Sequence, residues 1–209
     1  MAAAAQAELG AFLDSTVREK GRRIFRQEAD RKVHRFEDGV VIDTKTQGPL
    51  AWAYGDLSIY REVSYVQKGI RFTNWRFERG DGQAWSTSSG FDTRSEKTKF
   101  NARHRVYAEL LMTTCVRQRD AALQRLAEGA RLTFGAVELD RTELVGNATV
   151  PWVEVTELLV QHPKLIARVR GGGRFLKLQH TMGLVRDIPN LPLLLELSQL
   201  SQRQAAGGG

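Results

Sequence analysis

Residues 33–43 read Val33-His34-Arg35-Phe36-Glu37-Asp38-Gly39-Val40-Val41-Ile42-Asp43. Two short runs of β-formers flank Asp38-Gly39, a dipeptide that tolerates positive φ and so favours a tight turn. The stretch therefore predicts a hairpin, and its rhythm continues downstream. Runs at Leu50–Tyr54, Leu57–Val66, Ile70–Phe77 and Gln83–Ser86 are separated by Gly, Pro, Asn or Asp, with Asp81-Gly82 as a further turn. Along the longest run Leu57, Ile59, Val63 and Tyr65 share one face, which Arg61 interrupts.

On the N-terminal side of the hairpin the period changes. Leu9, Phe12, Leu13, Val17 and Ile24 recur at helical spacing, which predicts an amphipathic helix over residues 6–28. Downstream, from about Lys97, Val106, Tyr107, Leu110, Leu111, Thr114 and Cys115 fall on one side of a second helix. That helix continues through Leu123 and Leu126, and Gly129 is a natural stop because it can adopt the left-handed conformation. Strand rhythm then resumes at 132–134, 137–139, 143–145, 150–161, 165–170 and 175–179. A last helix opens at Asn190, read as the N-cap, with Pro192 in the first turn and leucines over much of its circumference.

The two halves share one order of parts: short strands, then a helix. Tyr54-Gly55-Asp56-Leu57 and Trp152-Val153-Glu154-Val155 echo each other as aromatic, any, acid, aliphatic, which makes Tyr54 and Trp152, and Asp56 and Glu154, candidate repeat positions. The predicted organisation is an N-terminal helix (1–29), a first repeat (30–128) and a second repeat with a short tail (129–209). The fold class is α+β, mainly β: two tandem small antiparallel barrels, each plugged by its C-terminal helix.

That architecture, with Phe36-Glu37-Asp38-Gly39, Phe134-Gly135, Pro151-Trp152-Val153-Glu154-Val155 and Ile188-Pro189-Asn190-Leu191, resembles an uncharacterised bacterial family of pleckstrin-homology-like (PH/GRAM-like) repeats. The resemblance spans about residues 30–204 and implies a fold but no reaction. It departs from the pattern at Tyr54, where the pattern favours Trp. Pleckstrin-like domains bind inositol phosphates through lysine and arginine around the first hairpin turn; here that turn carries Glu37 and Asp38, so the resemblance does not extend to that lipid site.

Composition describes an ordinary globular chain, 42% hydrophobic and 26% charged. No run reaches the roughly 18 apolar residues of a membrane span, and the N-terminus lacks the basic flank of a secretory signal, so a cytoplasmic location is expected. The lone Cys115 can form no internal disulfide. The net charge of +7 sits almost wholly in residues 1–119, with 21 Lys and Arg against 15 Asp and Glu. Its helical clusters are Arg18, Lys20, Arg22, Arg23 and Arg26, then Arg94, Lys97, Lys99, Arg103 and Arg105; neither carries the interleaved aromatics of a nucleic-acid platform.

Catalytic constellations are not apparent. His34, His104, His162 and His180 share no ligand spacing, and neither HExxH nor CxxC occurs, so no metal or cofactor is expected. Cys115 lies on an apolar helix face and reads as core filler. No Gly-x-Ser-x-Gly elbow presents Ser86–Ser89. Gly171-Gly172-Gly173 reads as a hairpin rather than a phosphate loop, because strand follows it. Its flanking Arg168, Arg170, Arg174 and Lys177 could form a small basic fork for an anion or a partner. The expected function is that of a non-catalytic binding or scaffold protein with a protein partner. The alternatives are a weakly held adaptor at anionic membrane surfaces and, less favoured, a nucleic-acid binder.

Overall fold

The computed structural model describes residues 8–15, 33–44, 48–66, 70–92, 99–100, 102–171 and 178–207. The hairpin that opened the sequence reading is present. Strands β2 (Val33–Phe36) and β3 (Gly39–Thr44) pair antiparallel with Arg35 opposite Val40. The two-residue turn is Glu37-Asp38, and neither of them has positive φ. Gly39 is already in the strand, where a Cβ would lie 2.4 Å from the Trp52 carbonyl oxygen. Close packing against β4 (Gly48–Ala53), rather than turn geometry, requires glycine there.

Strand β1 (Phe12–Ser15) precedes the hairpin and completes a sheet of order β1-β2-β3-β4. A 3-10 turn at Tyr54–Asp56 leads to β5 (Leu57–Val66), β6 (Ile70–Arg79), β7 (Ala84–Asp92) and β8 (Lys99–Phe100), paired in that order. Helix α1 (Ala102–Ala127) follows and ends near Gly129, whose φ is +83°. The second half runs β9 (Leu132–Phe134), β10 (Val137–Leu139), β11 (Glu143–Val145) and β12 (Thr149–Pro151), then β13 (Val155–Gln161), β14 (Lys164–Val169) and β15 (Gln179–Leu184). After a 3-10 turn at Val185–Asp187, helix α2 (Leu191–Gly207) closes the described chain.

Two expectations are overturned. The barrels do not form: the strands make four separate antiparallel sheets, none closed on itself. Closure needs the outer strands of a sheet to find one another. Among the described residues β4 pairs only with β3, and β5 only with β6, because the chain breaks sheet pairing at the Tyr54–Asp56 turn. The residues Trp152–Glu154 break it likewise between β12 and β13, where a single strand over 150–161 was expected. Of the expected N-terminal helix, only Glu8 and Leu9 are helical among the described residues. Phe12–Ser15 is strand, its Phe12 ring set edge-on against Phe36 at 5.6 Å, while Leu9 packs with Phe36 and Val41. Residues 16–32, the rest of that segment with Arg18, Lys20, Arg22, Arg23 and Arg26, lie outside the described residues.

One apolar cluster runs through both halves, from Val40, Trp52, Trp75 and Phe77 through Leu110 to Leu139, Trp152, Leu165 and Leu197. Tyr54 and Trp152, the two echoed aromatics, are both buried, each where one sheet hands over to the next. Their amides donate to Asp38 and Thr142 carbonyls, both at 2.9 Å. The acids Asp56 and Glu154 are exposed, and the turns are closed by backbone bonds instead.

The halves are fastened at Asn190. Its side-chain oxygen accepts the Ile59 amide (3.0 Å), and its side-chain amide donates to the Leu57 carbonyl (3.0 Å) and to Gln118 Oε1 (2.9 Å). Its backbone amide also donates to Ile59 (3.0 Å). The expected N-cap thus serves β5 and α1 with its side chain; only its backbone oxygen receives the first α2 amides.

Candidate functional site

Two arginines place β1 alongside α1. The Arg35 Nε donates to Asp14 Oδ1 (2.6 Å), its Nη2 to Asp14 Oδ2, and its Nη1 to Glu109 (2.7 Å), so one guanidinium ties β1 through β2 to the first half of the helix. The hydrogen bond from Arg35 holds the Asp14 carboxyl below its ordinary pKa. At the other end Arg117 Nη2 donates to the Glu37 carbonyl (2.7 Å), with Nη1 3.7 Å from Asp38. The same turn is bound to the start of β1: the Glu37 amide donates to Ala11 (3.0 Å), the Asp38 amide to Leu9 (2.9 Å), and the Ala11 amide to the Glu37 carboxylate (3.2 Å). Asp14 therefore lies by Glu109 and Ala11 by Arg117, so β1 runs antiparallel to the helix.

Phe12 and Leu13 on β1 and Met112 and Val116 on α1 are large apolar side chains left exposed, but Phe12 sits on Phe36 beside Leu9 and Val41, on the sheet face opposite the one that packs against α1. Their exposures are 50%, 59%, 52% and 65%. Large apolar groups scattered singly over a surface need no explanation. Beside them β1 is a sheet edge, pairing only with β2 among the described residues. The ties themselves carry four carboxylates (Asp14, Glu37, Asp38, Glu109) against two guanidinium groups (Arg35, Arg117), a local surplus of two negative charges on a chain of net charge +7. One helical turn beyond each end stand exposed Arg105 and Asp120, the latter 3.3 Å from Arg119, and their charges offset each other.

The residues singled out from sequence are elsewhere. Arg168 lies on β14 and donates to Glu157 on β13 at 2.6 Å, so its charge is already matched. These two, with Thr156 and Val169, line a groove of about 460 Å³, large enough for a small ligand. Arg170 is exposed just past β14, its amide bound to the Glu154 carbonyl (2.7 Å). Arg174 and Lys177, with Gly172, Gly173 and the expected strand start at Phe175, lie outside the described residues; the strand that pairs with β14 begins at Gln179. Arg94 and Lys97 are likewise outside them.

Two polar chains link the kinds of residue that catalysis uses. Ser15 Oγ is 2.7 Å from His34 Nδ1, whose Nε2 is 3.2 Å from Asp43. Trp75 Nε1 donates to Ser89 Oγ (2.8 Å), which lies 3.2 Å from His104 Nδ1. Burial, then the nearby Arg61 charge, depresses the His104 pKa. The first chain crosses three adjacent strands of an open sheet, and the second is buried in the core beneath α1. A nucleophile also needs a cleft that receives substrate and donors for the developing oxyanion. Neither described groove meets Ser15 or Ser89: the second, of about 120 Å³, is lined by Glu62, His162 and Arg186 with their neighbours. Among the described residues no cluster of His, Cys, Asp or Glu has the geometry of a metal site, and no helix is long and apolar enough to cross a membrane. Burial pushes the Cys115 thiol up to about 11, which keeps it protonated and unreactive near neutrality.

Residues 75–206 match a protein family described as Family of unknown function (DUF6585). The chain belongs to the DUF6585 family. Within the DUF6585 stretch two short motifs that look unrelated in sequence meet in space. Gly135 has φ +59°, and a Cβ on it would lie 2.1 Å from the Asp187 carbonyl oxygen and 3.0 Å from Pro189. The segment Ile188-Pro189-Asn190-Leu191 thus passes Phe134-Gly135, bonds β5 through Asn190 and leads into α2. The DUF6585 match includes Glu109, Met112 and Val116 but begins after β1. No curated protein matches the chain significantly.

The exposure of Met112 and Val116 was not singled out from the sequence. The helical period assigned α1 one apolar face, and Met112 and Val116 fall off that face. Their excess over a single stripe was the available signal.

Proposed function

We propose that this protein is a non-catalytic interaction module that works in the cytosol and takes up a segment of a protein partner along β1 and α1. The observation that carries the reading is β1, which pairs only with β2 among the described residues, carries exposed Phe12 and Leu13, and is tied to α1 through Arg35 and Arg117. An extended peptide can add to such an edge by main-chain hydrogen bonds while exposed apolar side chains beside it meet its own. The surplus of carboxylates over guanidinium groups at the two ties disfavours anionic lipid and nucleic acid there. The recurring order of two sheets and a helix, with buried Tyr54 and Trp152 at matching handovers, supports reading the chain as an internal duplication with boundaries near residue 129.

The test is affinity capture from source lysate with the wild type beside Met112→Glu and Val116→Glu. Protein species retained by the wild type and lost by both variants support the proposal. Capture that is indifferent to both substitutions, or binding only to vesicles rich in anionic lipid, contradicts it.

A further inference from the structure

We infer that the core-facing side of the β5–β7 sheet holds a second binding site, independent of the partner-binding reading, which takes a small carboxylate between Arg61 and Thr73. Arg61 is opposite Trp75 on β6, while Thr73 is opposite Val63 on β5 and Ser89 on β7. Residues two apart along a strand share a face, so Arg61, Thr73 and Ser89 lie on the side of buried Ile59, Trp75 and Phe77. Two polar groups there go unanswered among the described residues. The Thr73 hydroxyl is wholly buried and has no hydrogen-bond partner. The Arg61 guanidinium lies 5.7 Å from the centre of the Trp75 ring, and no carboxylate pairs with it. Burial lowers the Arg61 pKa, whereas Asp14 raises that of Arg35.

A desolvated cation and a buried hydroxyl without partners each cost free energy, and one carboxylate relieves both because it accepts from the two donors at once. The sheet geometry suits it. Arg61 and Thr73 are diagonal neighbours on adjacent strands, a separation of about 7–8 Å that the long arginine side chain spans with one oxyanion between the donors. The surrounding groups select a single negative charge. Ser89 Oγ receives the Trp75 indole N–H at 2.8 Å and stands 3.2 Å from His104 Nδ1, whose ring is kept neutral near pH 7 by burial and by Arg61. Arg61 is therefore the one full cation among these side chains, matched by a carboxylate and exceeded by a doubly charged phosphate. Access is from the Arg61 side. That residue is exposed, and the groove of about 120 Å³ comes up to the same end of β5 at Val63.

The probe is sodium acetate, compared with sodium chloride and sodium phosphate at equal ionic strength, on the full chain. Binding is read by thermal unfolding and by the indole N–H resonances, with the Trp75 signal assigned by its loss in Trp75→Phe. Acetate is expected to raise the melting temperature saturably and to shift the Trp75 resonance, while chloride and phosphate do neither. Arg61→Gln should weaken the acetate response at least about tenfold. Thr73→Val carries a sign that a structural hydroxyl would not share. It should raise the melting temperature of the ligand-free protein, because it removes an unanswered buried hydroxyl at nearly constant shape, and it should weaken acetate binding. Ligand-free Thr73→Val less stable than the wild type, an acetate response matched by chloride or phosphate, or one that survives Arg61→Gln overturns the inference. Circular dichroism of each variant separates loss of binding from loss of fold. Met112→Glu and Val116→Glu should leave the acetate response unchanged, so this result stands apart from that of the partner-capture experiment.

Discussion

Asn190 has a φ of +47°, a left-handed conformation that asparagine tolerates better than most side chains, and it uses every polar atom it has. Its side chain bonds the Ile59 amide, the Leu57 carbonyl and Gln118, all at or within 3.0 Å and buried among both halves. Asn190→Ala removes these bonds and leaves strand groups unsatisfied, so it should cost about 2–4 kcal/mol in urea unfolding. Asn190→Gly relieves the backbone strain but not the lost bonds and should recover only part of that. Cys115 makes a different prediction. Burial raises its pKa from 9.0 to about 11, so the folded state holds the proton more tightly than the unfolded chain. Stability from this group is complete below about pH 9 and falls between pH 9 and 11, by up to about 1.4 kcal/mol per pH unit. Cys115→Val should flatten that part of the pH profile, and iodoacetamide should label the native thiol at pH 8 only as the chain unfolds.

Elements were readable from sequence where local chemistry determines them. Period-two runs located β2, β3, β5, β6, β9, β10, β11 and β14, and the stripe through Leu110 and Cys115 located α1. The N-terminal segment misled at residues 12–15 because Phe12 and Leu13 continue the helical period set by Leu9 and equally suit a strand edge. What decides between them is Phe36, Arg35 and Glu37, twenty or more residues away. Closure of the sheets was unreadable for a related reason: alternation and turn residues report hairpins but not which outer strands meet. The Arg35 and Arg117 ties that bring β1 to α1 join residues far apart in sequence and were unreadable for the same reason. At the element scale the Asp140 turn is a sharp test. Burial alone would push its carboxyl up, but the Thr142 hydroxyl and amide, Arg131 and the Glu143 amide together bring it down to about 2. Because the folded pKa is depressed, its contribution is present above pH 4 and is lost as pH falls toward 2. Asp140→Asn should therefore lower stability by about 1–2 kcal/mol at pH 7, and the difference from wild type should close near pH 2 in urea titrations. Gly135→Ala, which drives a Cβ into the Asp187 carbonyl at a positive φ, should destabilise by more than about 2 kcal/mol in the same assay.

At the scale of the whole molecule, one apolar cluster joins the two halves, with Trp52, Trp75 and Trp85 in the first and Trp152 in the second. A shared core couples their unfolding. Tryptophan fluorescence of the wild type and of Trp152→Phe should give one coincident urea transition; two separated transitions would contradict a common core. The same coupling gives the β1–α1 face its purpose in this account, since a short edge strand pinned by two arginines to a helix of the core offers a pre-set surface rather than a loose one. Hydrogen–deuterium exchange on the free protein and on its complex with the captured partner tests that claim directly. The account predicts slowed exchange confined to the amides of residues 12–15 and to α1 around Met112 and Val116. Unchanged exchange there, with protection instead around Arg168 and Arg170, would contradict it.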